Sequence, residues 1–164
     1  FQQAQEVKRI TDQYQVPLII NDRLDIALAV GAFGIHIGQN DLPVPVVRQI
    51  IGKDMLLGVS VSSVEEAGQA MEDGADYLGV GAMFTTGTKT DAGMVPMEEL
   101  IRIRRITNLP IVVIGGINRE NAGAFRPMGI DGLAVVSSII GQSDIRKAAE
   151  EIKKAFYGEA DDEV

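Results

Sequence analysis

Asp22 and Asp41 each follow a short apolar run that reads as a strand, in Ile20-Asn21-Asp22-Arg23 and in Gly38-Gln39-Asn40-Asp41. Two hard carboxylate ligands beside a phosphate commonly seat Mg²⁺, with water and substrate oxygens completing the octahedron. Each has a plainer reading, Asp22 as a cap on the following helix and Asp41 as the start of a turn before Pro43. Ser60, after a third apolar run, would present its hydroxyl at the same end. His36, the sole histidine, falls inside a strand; with no histidine and acid arranged to activate Ser60, a serine-nucleophile hydrolase is not expected.

The longest irregular segment, Ala82 to Pro96, holds Thr86, Gly87, Thr88 and Lys89. Two hydroxyls, a permissive backbone and one cation are the ingredients of a phosphate cradle, although the spacing is not that of a P-loop. A solvated threonine loop is the plainer alternative. Gly115-Gly116-Ile117-Asn118 and Val136-Ser137-Ser138 follow two later strands, where backbone N–H groups can hold a phosphate and Gly116 lets the backbone come close. A glycine pair kept for steric reasons competes with that reading.

These residues need a scaffold that gathers strand ends, and the sequence describes one. Gly31-Ala32-Phe33-Gly34, Gly74-Ala75-Asp76-Tyr77 and Gly129-Ile130-Asp131-Gly132 each follow helical apolar spacing and lead into an apolar strand. The first glycine of each reads as a left-handed helix stop. Strands are expected near Pro17–Asn21, Gly34–Gly38, Met55–Val59, Tyr77–Gly81, Ile111–Gly115 and Gly132–Val136. Helices are expected over Asp25–Val30, Pro45–Ile51, Val64–Asp73, Met97–Thr107, Arg119–Met128 and Asp144–Phe156, and the chain opens inside an amphipathic one. Helix, stop and strand recurring in this way imply an α/β protein of the (β/α)8 TIM-barrel class, whose chemistry sits at the C-terminal strand ends.

Six βα units are countable in 164 residues, whereas a closed eight-stranded barrel typically needs roughly 200 or more. The expectation is one barrel domain over 1–157 lacking about its first two units, followed by an acidic tail over 158–164; an open six-stranded sheet is the alternative. Composition supports a globular chain, with 46% hydrophobic residues and no cysteine, which excludes disulfides and thiolate metal sites. A net charge of −8 disfavours nucleic acid and anionic membranes as partners but leaves small phosphorylated ligands open. No leader or membrane-length apolar run is visible, so a cytoplasmic location is expected.

Taken together, Ile20-Asn21-Asp22-Arg23, His36-Ile37-Gly38-Gln39-Asn40-Asp41, Gly58-Val59-Ser60-Val61, Asp76 to Gly81, Thr86-Gly87-Thr88-Lys89-Thr90-Asp91-Ala92, Ile114 to Ile117 and Val135-Val136-Ser137 resemble the thiamin phosphate synthases, or thiamin-phosphate pyrophosphorylases. The resemblance runs in order along nearly the whole chain. It implies a transferase that joins 4-amino-5-hydroxymethyl-2-methylpyrimidine diphosphate to a thiazole phosphate, releasing pyrophosphate. It further implies Mg²⁺ on Asp22 and Asp41, the pyrimidine diphosphate on Asn21, Ser60 and Lys89, and the thiazole phosphate on Thr86, Thr88, Gly116, Val136 and Ser137, with Gly87 in the same loop. Lys89 and Ser60 are the residues expected to act on the reacting diphosphate. The family's Gln-x-Arg-x-Lys segment is not in this sequence, so the 164-residue chain by itself is expected to have little or no synthase activity. Ser62 stands where the family often has histidine and Thr85 where proline is usual. A thiazole tautomerase-like isomerase and a non-catalytic phosphate-binding fragment are the competing readings.

Overall fold

Apolar runs and glycine stops turn into strands and helices in regular alternation. The computed structural model describes residues 1–85 and 93–158. The order is α1 (Gln2–Gln13), β1 (Ile19–Asn21), α2 (Leu24–Val30), β2 (Gly34–Ile37), α3 (Val44–Ile51), β3 (Leu56–Val61), α4 (Val64–Glu72) and β4 (Tyr77–Val80). There follow α5 (Met97–Ile106), β5 (Ile111–Ile114), a 3₁₀ helix (Ala122–Met128), β6 (Gly132–Ala134), α6 (Ser137–Ile140) and α7 (Ile145–Tyr157). The strands make a six-stranded sheet in the order β1-β2-β3-β4-β5-β6. β1 with β2, β2 with β3 and β5 with β6 pair in parallel. The fold is therefore a parallel α/β sheet of six strands, the number expected. No helix among the described residues is long and apolar enough to cross a membrane.

The glycine stops form as read. At the end of α2, Gly31 has φ 63°, and the N–H groups of Gly31 and Ala32 donate to Leu28 O and Ala27 O. The same pair of bonds closes α4, where Gly74 has φ 93° and the N–H groups of Gly74 and Ala75 donate to Met71 O and Ala70 O. Gly129, at φ 68°, ends the 3₁₀ helix.

Three expectations need correction. The helix expected over Arg119–Met128 is a turn followed by the 3₁₀ segment, because Asn118 and Asn121 bond their own backbone and Pro127 has no N–H to give. The last strand stops at Ala134 rather than Val136, and Ser137–Ile140 turns into a short helix. Asp144 is the cap of α7 and not its first residue, its carboxylate accepting from Lys147 N–H at 2.9 Å.

The chain divides into two compact units, one made of Phe1–Val61 and Glu65–Leu78, the other of Ser62–Val64 and everything from Gly79 on. In the first, Ile35, Ile37, Leu57, Val59 and Val61 are almost fully buried with Ala27, Val47 and Ala67 from the helices. Period-two alternation then turns His36, Gly58 and Ser60 to the opposite face of the same strands. In the second unit Leu100 and Ile103 of α5, Ile111 and Val113 of β5, and Phe125 make the core. Each such side chain contributes about 1.5–3 kcal/mol by leaving water.

One ionic device occurs once in each unit, at the N-terminal ends of strands. In the first, Asp76 Oδ2 accepts from Leu57 N–H at 2.7 Å and from Arg48 Nη2 at 2.6 Å, while Arg48 also donates to the carbonyls of Gly74, Gly52 and Met55. In the second, Asp131 Oδ2 accepts from Ile111 N–H at 2.8 Å and from Arg104 Nη1 at 3.3 Å, and Arg104 reaches the carbonyls of Gly129, Thr107 and Leu109. A helix-borne arginine thus ties the glycine stop to an acid that sets where the preceding strand begins. Asp76→Ala removes the acceptor of two bonds and leaves half-buried donors behind, so unfolding free energy should fall by about 2 kcal/mol. Asp131→Ala, with the longer and more exposed ion pair, should cost less; urea denaturation of both variants checks the order.

Candidate active site

At the end of β1 the chain turns sharply, with Asp22 N–H donating to His36 O and Arg23 N–H to Asn21 O. Asp22 takes φ 64°, unusual for a residue with a side chain and costing of order 1 kcal/mol. Arg23 occupies the N-cap position of α2, with no side-chain cap bond of its own, and Asp22 immediately precedes it. At the end of β2, Asp41 Oδ2 accepts from Gly38 N–H at 2.7 Å, so the turn reading of Asp41 is part of its role. Since Asn21 is in register with His36 across the β1–β2 ladder, Asp22 and Asp41 follow the C-terminal ends of adjacent strands.

Among the described residues no group of three His, Cys, Asp or Glu side chains could hold a metal. Two carboxylates with remaining positions left to water and phosphate oxygens is the donor set Mg²⁺ accepts, because it dehydrates reluctantly. The all-oxygen character of Asp22 and Asp41 fits that ion and not a soft metal.

His36 sits at the centre of a hydrogen-bonded row. Its Nε2 lies 2.8 Å from Ser60 Oγ and its Nδ1 2.9 Å from Tyr77 OH. The row exists because position 58, in register with His36, is glycine: a Cβ there would stand 2.1 Å from Tyr77 Cζ and 2.4 Å from His36 Nδ1. A histidine thus stands against Ser60, but the expected lack of a histidine-and-acid pair is not overturned by it, since the third member of this row is a phenol. Burial pushes Tyr77 up to about 12, so it stays neutral and supplies no anion to stabilise an imidazolium. With Tyr77 O–H donating to Nδ1, Nε2–H donates to Ser60 Oγ and the serine proton is directed elsewhere; the other tautomer reverses these donations. Gln39 Nε2 donates to Ser60 O at 2.7 Å, so the same serine is held at its backbone as well.

In the second unit, the Gly115-Gly116 turn follows β5. A Cβ on Gly116 would lie 2.7 Å from Phe84 Cβ and from Thr85 O, so the steric reading of this pair is real. The turn is also braced, with Asn121 Nδ2 donating to Gly116 O at 3.0 Å and Asn118 N–H to Asn121 Oδ1 at 2.9 Å. Val136 is the N-cap residue of α6 and Ser137 its first residue, the carbonyl of Val136 accepting from Ile139 and Ile140 N–H. Thr86, Gly87, Thr88 and Lys89 lie outside the described residues, as does the tail beyond Gly158.

Sequence reasoning missed Tyr77, Gln39 and Gly58. A glycine inside a strand, two residues before Ser60, was the available signal for close approach by other side chains.

Residues 1–139 match the model of the family described as thiamine monophosphate synthase. The chain belongs to that family. It is 58% identical over 160 residues to a thiamine-phosphate synthase of Ruminiclostridium cellulolyticum, covering 98% of this chain and 76% of the relative. A thiamine-phosphate synthase of Clostridium beijerinckii is also 58% identical, over 93% of this chain and 73% of its own length. Among solved structures, a thiamine phosphate pyrophosphorylase from Pyrococcus furiosus superposes with a TM-score of 0.87 at 39% identity, covering 94% of this chain and 74% of that one. The activity class follows: this is an enzyme, a transferase of the thiamin-phosphate pyrophosphorylase type.

Tyr77→Phe isolates one phenol. The difference between wild-type and variant phenolate absorbance on alkaline titration should show a midpoint near 12, against 10.0 for an unperturbed tyrosine. Because the folded state raises this value, the contribution to stability is complete below pH 10 and is lost as pH rises towards 12.

Proposed function

We propose that the enzyme joins 4-amino-5-hydroxymethyl-2-methylpyrimidine diphosphate to a thiazole phosphate, with Mg²⁺, giving thiamin phosphate and pyrophosphate. The observation that carries this reading is in the first unit, where a serine held at both its hydroxyl and its carbonyl shares the strand ends with Asp22 and Asp41. The family membership supports the substrates. The tautomerase alternative is not favoured, since relatives 56–58% identical to this chain are thiamine-phosphate synthases.

Asn21, Ser60 and Lys89 take the diphosphate on this reading, and Asp22 with Asp41 hold Mg²⁺, which supplies charge neutralisation when bound. Thr86, Gly87, Thr88, Gly116, Val136 and Ser137 take the thiazole phosphate. The bond from the pyrimidine methylene to the diphosphate oxygen breaks, and its electron pair leaves on pyrophosphate. The thiazole nitrogen lone pair then captures the methylene cation, so the positive charge ends on the thiazolium ring. No proton is transferred, which suits a site whose histidine lies between a neutral phenol and a serine. Ser60 O–H donates to a diphosphate oxygen as negative charge grows there, a bond stronger in the transition state than before it. Lys89 neutralises the same leaving group.

Calorimetry on the 164-residue polypeptide tests the reading without requiring turnover. Pyrophosphate should bind only with Mg²⁺, and thiazole phosphate without it. Asp41→Asn should weaken Mg²⁺-dependent pyrophosphate binding by about tenfold or more while leaving thiazole phosphate binding within about twofold. Equal loss of both would mean a folding defect, and no pyrophosphate binding by the wild type would overturn the reading.

A further inference from the structure

The β2–β3 ladder stops one rung short of the serine. Its last pairs are His36 with Gly58 and Ile37 with Val59, and β2 ends at Ile37 while β3 runs on to Val61. The next pair would have joined Gly38 to Ser60, but the chain turns away at Gly38, whose N–H is committed to Asp41 Oδ2 at 2.7 Å. The carbonyl of Ser60 is instead met by a side chain, Gln39 Nε2, at 2.7 Å. One exposed amide thus replaces the missing backbone rung, and it does so from the residue between the one that holds Asp41 and the loop that carries it.

We infer that Gln39 is a positioning residue that locks the serine and the acid loop into one rigid diphosphate cradle. The inference rests on the function proposed above and adds to it. Ser60 is fixed at its hydroxyl by His36 and at its carbonyl by Gln39. Asp41 is fixed to Gly38, the immediate neighbour of Gln39. Without the amide, the Gly38–Asp41 turn loses a side-chain tie to β3, and the carboxylate and the serine hydroxyl move independently. A ligand that must touch both then binds more weakly, because ordering them falls to the ligand itself. Glutamine suits the task chemically: it is neutral, so it adds no charge next to a diphosphate, and its amide donates where glutamate could only accept.

Gln39→Met keeps length and volume and removes the donor; Gln39→Ala removes both. Gln39 is exposed, so neither substitution opens a cavity and the midpoint of thermal unfolding should stay within about 2 °C of the wild type. Binding is read by calorimetry with pyrophosphate over a series of Mg²⁺ concentrations, with thiazole phosphate as the control ligand. The expected result is pyrophosphate affinity about five- to tenfold weaker in both variants, a higher Mg²⁺ concentration at half-saturation, and unchanged thiazole phosphate affinity. Wild-type pyrophosphate affinity in Gln39→Met overturns the inference and leaves the proposed function standing. A wild type that binds no pyrophosphate with Mg²⁺ overturns the function itself. A variant that loses both ligands together with thermal stability assigns Gln39 a structural role and also overturns the inference.

Discussion

Parallel strands cannot be joined by a tight turn, and the rest of this structure depends on that constraint. Each strand must be followed by a return helix long enough to bring the chain back to its starting end, and each return must stop at a fixed place if the next strand is to enter in register. Within the first unit the stop is a left-handed glycine backed by two carbonyl bonds, at Gly31 and again at Gly74. Arg48 and Asp76 then tie the second of these stops to Leu57 N–H. Register fixed at the entering end is register fixed at the leaving end three residues later, where Ser60 stands.

On the proposed function, the leaving ends are free for chemistry because the ionic ties sit at the entering ends. Asp76 and Asp131 are spent on backbone N–H groups and arginines. Asp22 and Asp41, at the other ends of their strands, are held by local backbone geometry, one at a positive φ and one across a short turn. A sheet built this way separates two populations of aspartate by position alone, which is the separation barrel-type enzymes show between their two faces. The His36 row belongs with the second population, polar groups turned from the core by strand alternation and packed against a glycine.

Much of this was legible in the residues. The glycine stops, the six strands and the two acids at adjacent strand ends follow from period, punctuation and spacing, all of which are local. What could not be read was long-range. Ser60 and Tyr77 reach His36 from 24 and 41 residues away, and the Gln39 bond to Ser60 spans 21. The two Ser60 bonds need the β2–β3 register to be known before they can be drawn, and the Tyr77 bond needs the placement of β4 as well. The 3₁₀ segment was missed for the opposite reason: the apolar spacing over 119–128 is helical, but Asn118 and Asn121 offer the backbone nearer partners.

The central claim is that Asp22, Asp41 and Ser60 close on one metal-bound diphosphate. A crystal structure of the chain soaked with Mg²⁺ and pyrophosphate tests it most directly. The account predicts a metal with Asp22 and Asp41 oxygens at about 2.1 Å and Ser60 Oγ within hydrogen-bond distance of a phosphate oxygen. Metal and pyrophosphate bound away from these three residues, or a diphosphate that leaves Ser60 turned only to His36, would contradict it.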